Sequence, residues 1–273
     1  MATIKLNGIT VHYEMWNETA ETTLVLLHGF TGSTKTWHEL IPLLPNDIRL
    51  IAFDCIGHGV TDAPLEVAQY TMSAQISLLK GAFEALKIER CHLLGYSMGG
   101  RVALSFAVQY PECITSLILE SASPGLKDAA SREERRASDA QLAARLERDG
   151  IEAFTLLWES IPLFETQKRL VEVKQASIRA ERLDQRAIGL ANSLRGMGTG
   201  DMPSLWHKLS YLSMPVTLIT GELDSKFISI AKRMLTKIPQ AQHVIINEVG
   251  HAIHVENPEK FATIVKETIS YTI

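Results

Sequence analysis

The 273-residue sequence predicts an α/β protein: a mainly parallel sheet with helices on both faces and one helical insertion. Three observations carry that expectation. Short apolar runs rich in branched residues end in glycine or polar punctuation, as buried parallel strands do. Helix-like stretches alternate with them. Between residues 126 and 207 the alternation stops, and charged, alanine-rich sequence with helical spacing and no strong strand signal takes over.

The elements follow in chain order. Segments near 3–7 and 10–16 flank Asn7-Gly8 and predict a β-hairpin. "TLVLLHGF" and "IRLIAFD" predict buried strands with a helix-like stretch between them. A helix is expected over about 72–87, then the strand "CHLLGYS", a helix over about 98–110 and the strand "ITSLILES". After the insertion come "PVTLITGELD", "QHVIINEVG" and a last helix from Pro258. The expected organisation is a core of residues 1–125 and 208–273, with 126–207 as a helical cap over the carboxyl ends of the strands.

Composition narrows the function classes. Hydrophobic residues make up 46% and charged residues 21% of the chain, and no apolar run reaches the roughly 18–20 residues that span a bilayer. The opening residues do not read as a secretion signal, so the cytoplasm is the expected location. Cys55, Cys91 and Cys113 lack metal or disulfide spacing and read as small buried hydrophobes. A net charge of −4 argues against nucleic acid as a partner. Any anionic ligand must therefore meet locally placed arginines.

The chemistry-bearing stretch is "GYSMG", residues 95–99, set directly after an apolar strand and before a helix. This is the G-x-S-x-G turn that exposes a serine, here Ser97, at a strained corner above a helix N-terminus. A serine hydroxyl needs a base held by a carboxylate. Asp224 and His251 follow later strands in the order serine, acid, histidine. Glu222 and Glu120 are alternatives for the acid, and His251, His254 and Glu256 also spell H-x-x-H-x-E, a weak metal pattern that nothing else completes. His254 otherwise reads as structural. The backbone N–H groups of Phe30 and Met98 are candidates for an oxyanion hole, with His28 anchoring the loop and Asp54 and His58 as scaffold. No phosphate-loop or dinucleotide pattern occurs, and no cofactor or metal is expected.

These motifs resemble the α/β-hydrolase superfamily over nearly the whole chain. Finer stretches, "GYSMGGR", "ESASPGL", "EERRASD", "LLWESIPLF", "LRGMGTGDMPSLW" and "GELDSKF", resemble the 2-succinyl-6-hydroxy-2,4-cyclohexadiene-1-carboxylate (SHCHC) synthases of menaquinone biosynthesis, the MenH lyases. One departure is Thr61, where that family often has serine. The resemblance implies a small polycarboxylate substrate, elimination of pyruvate with the serine acting as base, and substrate-binding roles for Arg101, Arg135, Arg179, Tyr96 and Trp158. It also explains a cation, Arg101, one helical turn after the serine, because carboxylates leaving water need guanidinium partners. The chain is expected to act as a monomer. Two rival readings are a serine hydrolase working through an acyl-enzyme and a receptor that reuses the fold.

Overall fold

The structure, a computed structural model, describes residues 2–270. Eight strands form one sheet: β1 (Ala2–Leu6), β2 (Ile9–Trp16), β3 (Thr22–Leu27), β4 (Ile48–Phe53), β5 (Cys91–Tyr96), β6 (Ile114–Glu120), β7 (Val216–Gly221) and β8 (Ala241–Ile246). Their order is β1-β2-β4-β3-β5-β6-β7-β8. The β1–β2 and β2–β4 pairs are antiparallel, and every later pair is parallel. The β1–β2 hairpin turns at Asn7 and Gly8, both at positive φ (51° and 84°), which matches the twist of the flanking strands.

Helices cover both faces. On one side, α1 (Met72–Ala85), α2 (Met98–Gln109) and α6 (Ser225–Leu235) bury Leu79, Phe83, Val102, Phe106 and Met234 against Leu27, Leu93 and Leu117 of the sheet. On the other, α8 (Pro258–Ser270) lays Phe261, Val265 and Ile269 against Leu24, Leu26, Leu94 and Ile219. The stretch between β3 and β4, expected to be helix-like, forms only two short 3-10 turns, at Thr34–Trp37 and Ile41–Leu43. Pro42 and Pro45 lack the N–H that a longer helix needs there.

Between β6 and β7 the chain runs through helices only: α3 (Ala129–Ser160), broken at Gly150, α4 (Glu172–Leu183) and α5 (Ala187–Met197). They share a small core of Ala143, Leu146, Phe154, Leu190, Ala191 and Leu194, into which Phe30 and Trp158 pack. The loop after β3 thus touches this helical layer directly. Among the described residues, no helix is long and apolar enough to cross a membrane.

Candidate active site

The serine corner is made by close packing. A Cβ on Gly95 would lie 2.3 Å from the carbonyl oxygen of Gly99, and one on Gly99 would lie 2.1 Å from that of Leu27. Only glycine lets β5, β3 and the start of α2 approach this closely. Ser97 is forced to φ 49° and ψ −101°, a strained conformation for a residue with a side chain. Its backbone is held by the Ser97 N–H donating to Glu120 O (2.9 Å) and by its own carbonyl accepting from Arg101 N (3.1 Å).

His251 meets this serine from the far end of the sheet. Its Nε2 lies 3.0 Å from Ser97 Oγ, and its Nδ1 lies 2.7 Å from Asp224 Oδ2. Asp224 also caps α6 by accepting from Phe227 N (3.2 Å), so the carboxylate is fixed by the helix it begins. Both His251 and Asp224 are buried. The alternative acids are engaged elsewhere. Glu222 accepts from Glu248 N (3.0 Å), and Glu120 binds His254 Nδ1 (2.8 Å). Of the H-x-x-H-x-E residues, His251 and His254 thus face different carboxylates, while Glu256 accepts from Gly250 N (2.8 Å) and Thr166 Oγ1 (2.9 Å). No group of three or more His, Cys, Asp or Glu among the described residues is arranged to hold a metal ion.

Phe30, Tyr96, Met98, Arg101, Arg135 and Trp158 line one cavity with Ser97 and His251, about 120 Å³ in volume. Phe30, Tyr96 and Phe164 separate it from an adjoining cavity of about 320 Å³. Met98 is the first residue of α2, where a backbone N–H has no partner within its helix. The loop that carries Phe30 is anchored by His28, whose Nδ1–H donates to Gly29 O (2.7 Å) and whose Nε2 accepts from Cys55 N (3.0 Å). That pattern fixes a neutral tautomer, and burial lowers the His28 pKa further. Asp54 is scaffold too: it receives Thr34 N (2.6 Å) and Val60 N (2.8 Å) and pairs with His12 (2.8 Å).

Arg101 is the notable charge. Its Nη1 donates to Met197 O at the carbonyl end of α5 (2.5 Å), and among the described residues no carboxylate lies within ion-pair distance of it. Loss of solvation pushes its pKa down to about 10, with the nearby Arg135 adding to the effect. A cation held this way favours any anion that reaches it. Arg135 is tethered to Asp139 (2.8 Å), whose carboxyl burial pushes upward in pKa. Trp158 stacks on Phe154 at 5.6 Å, and its buried Nε1 has no hydrogen-bond partner among the described residues.

Arg179 stands apart from this group. It is exposed, bound to Glu159, and lines a different depression beside α4. Arg182, three residues further along α4, is the buried one: it packs over the Phe164 ring at 4.9 Å and reaches Gln167 Oε1 (3.0 Å) and Glu159 (3.4 Å). Sequence reasoning missed Arg182. The available signal was its place next to apolar Leu183 near the helix end, which alone does not distinguish it from Arg179.

The comparisons agree with this architecture. The alpha/beta hydrolase fold family matches residues 22–258. A Bacillus subtilis (strain 168) protein named for 2-succinyl-6-hydroxy-2,4-cyclohexadiene-1-carboxylate synthase is 48% identical over 251 residues, covering 92% of this chain and 91% of its own. The synthase of that name from Enterobacter sp. (strain 638) is 33% identical over 92% of both chains. The solved structure of MenH from S. aureus superposes with a TM-score of 0.92 at 38% identity, covering 96% of this chain and 98% of that one. A thermophilic esterase from Thermogutta terrifontis, solved with malate bound, superposes with a TM-score of 0.85 at 27% identity over 99% and 98% of the two chains. The chain therefore belongs to the alpha/beta hydrolase fold family and, within it, to the SHCHC synthases.

Proposed function

We propose that this chain eliminates pyruvate from 2-succinyl-5-enolpyruvyl-6-hydroxy-3-cyclohexene-1-carboxylate to give SHCHC, a step of menaquinone biosynthesis. The observation that carries the reading is a histidine-bound serine hydroxyl, 3.0 Å from His251 Nε2, in one cavity with a cation, Arg101, that has no carboxylate partner among the described residues. A hydroxyl base working on a polyanion needs both.

In this mechanism His251, oriented by Asp224, takes the Ser97 proton as the serine oxygen removes the ring proton alpha to the succinyl carbonyl. The C2–H pair becomes the C2=C3 bond, the former C3=C4 pair becomes C4=C5, and the C5–O bond breaks. Pyruvate leaves as its enolate and takes a proton at carbon from solvent, while the His251 imidazolium returns its proton to solvent and Ser97 keeps the ring proton as its hydroxyl. The N–H groups of Phe30 and Met98 are suited to the charge that develops on the succinyl oxygen, a role worth about 3 kcal/mol per donor. Arg101 and Arg135 grip substrate carboxylates, Tyr96 and Trp158 shape the cavity, and residues 126–207 act as a cap that limits water. For Arg179 to join them, it must leave Glu159. We assign the enzyme to the cytoplasm and to a monomeric state, with no cofactor.

Supplying the enolpyruvyl substrate and following pyruvate by mass spectrometry tests the reading; no pyruvate from the folded protein rejects it. A serine hydrolase is the second reading, favoured by the strained Ser97 corner and the likeness to an esterase structure. It requires an acyl group on Ser97 during turnover of p-nitrophenyl esters, which elimination does not form.

A further inference from the structure

Glu256 is left without a task by the chemistry above. Its carboxylate stands between the cap and the histidine loop. Oε1 accepts from Thr166 Oγ1 (2.9 Å) in the segment between α3 and α4, and Oε2 accepts from the backbone N–H of Gly250 (2.8 Å), immediately before His251. The contact is tight: a Cβ on Gly250 would lie 2.2 Å from Thr166 Oγ1. Two residues before Thr166, the Phe164 ring meets the His251 ring edge-on at 6.2 Å. The other side of the loop is equally constrained. A Cβ on Gly221 would lie 2.1 Å from Gly250 O, and Leu223 N donates to Val249 O (3.0 Å), which seats the Asp224 turn against the His251 turn.

We infer that Glu256 is a positioning residue: its carboxylate ties the Thr166 hydroxyl of the cap to the backbone beside His251, so that the seated cap fixes the imidazole against Ser97. The physical reason is leverage. The His251 side chain leaves the chain one residue after the tethered N–H, and its Nε2 must hold a 3.0 Å contact with Ser97 Oγ. Displacement of about 1 Å in such a contact costs on the order of 100-fold in rate. A two-oxygen carboxylate can accept from cap and core at once, a link that a single hydroxyl acceptor cannot supply as firmly. The inference rests on the reading of Ser97, His251 and Asp224 as the catalytic set.

The test uses Thr166→Val, Thr166→Ser and Glu256→Ala with two readouts: pyruvate release, and the rate at which a fluorophosphonate probe labels Ser97. Thr166→Val keeps the shape and removes the donor. It is expected to lower kcat and labelling by about tenfold, the scale of one hydrogen bond, with KM within about twofold. Thr166→Ser restores both, and Glu256→Ala lowers both further. Wild-type rates in Thr166→Val, equal impairment in Thr166→Val and Thr166→Ser, or a loss carried by KM alone overturns the inference. Should Glu256→Ala fail to fold, the Thr166 pair decides. A wild-type protein that labels but releases no pyruvate strikes the proposed reaction, while labelling of the Thr166 variants judges the tether by the same criteria.

Discussion

His251 and His254 lie three residues apart, both are buried, and each binds a carboxylate through Nδ1, at 2.7 Å to Asp224 and 2.8 Å to Glu120. Their other nitrogens differ. His251 Nε2 meets the Ser97 hydroxyl at the wall of a cavity. His254 Nε2 is buried without a hydrogen-bond partner among the described residues, and its ring is enclosed by Trp37 at 4.9 Å, Tyr96 at 4.6 Å and Phe261 at 6.0 Å. The same histidine–carboxylate pairing thus leaves the second nitrogen either enclosed by rings or in contact with a hydroxyl, and only the second arrangement is placed for proton transfer. The Glu120–His254 link joins the end of β6 to α7 (Ile253–Glu256), and Glu120 also accepts from His254 N (3.1 Å).

The sharpest way to break the comparison is to truncate each histidine. His251→Ala is expected to lower kcat for pyruvate release by about 10⁴-fold while leaving the unfolding midpoint near that of the wild type. His254→Ala should act in the opposite manner. It leaves Glu120 wholly buried without its imidazole partner, with only the backbone N–H of residue 254 to accept from, which costs about 3 kcal/mol in urea-unfolding stability, with residual activity at temperatures where the protein remains folded. Equal kinetic losses in the two variants would erase the distinction.

The next comparison lies among arginines. Arg101→Ala should reduce kcat/KM by about 100-fold, and Arg101→Lys should recover only part of that because the guanidinium fork is lost. Arg179→Ala should change kcat/KM by no more than about twofold, because Arg179 is exposed and already paired with Glu159. Steady-state kinetics on the enolpyruvyl substrate ranks the three; a larger loss at Arg179 than at Arg101 would place the anion grip on the exposed face of α4 instead.

The smallest expected effect concerns buried histidines that have no carboxylate cross-link. His58 is pushed down to about 3 and His92 to about 4, chiefly by burial; their Nδ1 atoms face Ile56 O and Ser116 Oγ. In the unfolded chain both take protons near 6.5. The unfolded state therefore binds more protons below that pH, and stability falls as pH drops from about 6.5 toward 4 and then 3. Urea titrations at pH 7 and pH 5 should differ by about 2 kcal/mol for His92, and His92→Gln should reduce that difference. An unchanged difference in that variant would show that His92 is not its source.

Much of this was readable beforehand, for reasons tied to particular residues. The strands around Leu24–Leu27 and Leu93–Leu94 are buried on both sides, so they appear as continuous apolar runs. Ser97 is legible because the glycines at 95 and 99 are demanded by contacts as short as 2.1 Å, which no other side chain survives. The 3-10 turns at 34–37 and 41–43 were less so, since their apolar spacing resembles a helix and only the prolines argue against it. The choice between Arg179 and Arg182 was not legible at all. Both lie on α4, three residues apart, and which one turns inward depends on Phe164 and Gln167 from another segment.

The sequence by itself determined the alternating architecture, the strained serine and the chain order of serine, acid and histidine, because those are set by local sterics and by burial periodicity. Only the tertiary structure decided which carboxylate each histidine binds, which arginines share the serine's cavity, and that Glu256 joins Thr166 to Gly250. Those choices depend on side chains brought together from up to about 150 residues apart in the chain, and over such separations distance is fixed by packing of the sheet and its helices rather than by any local preference.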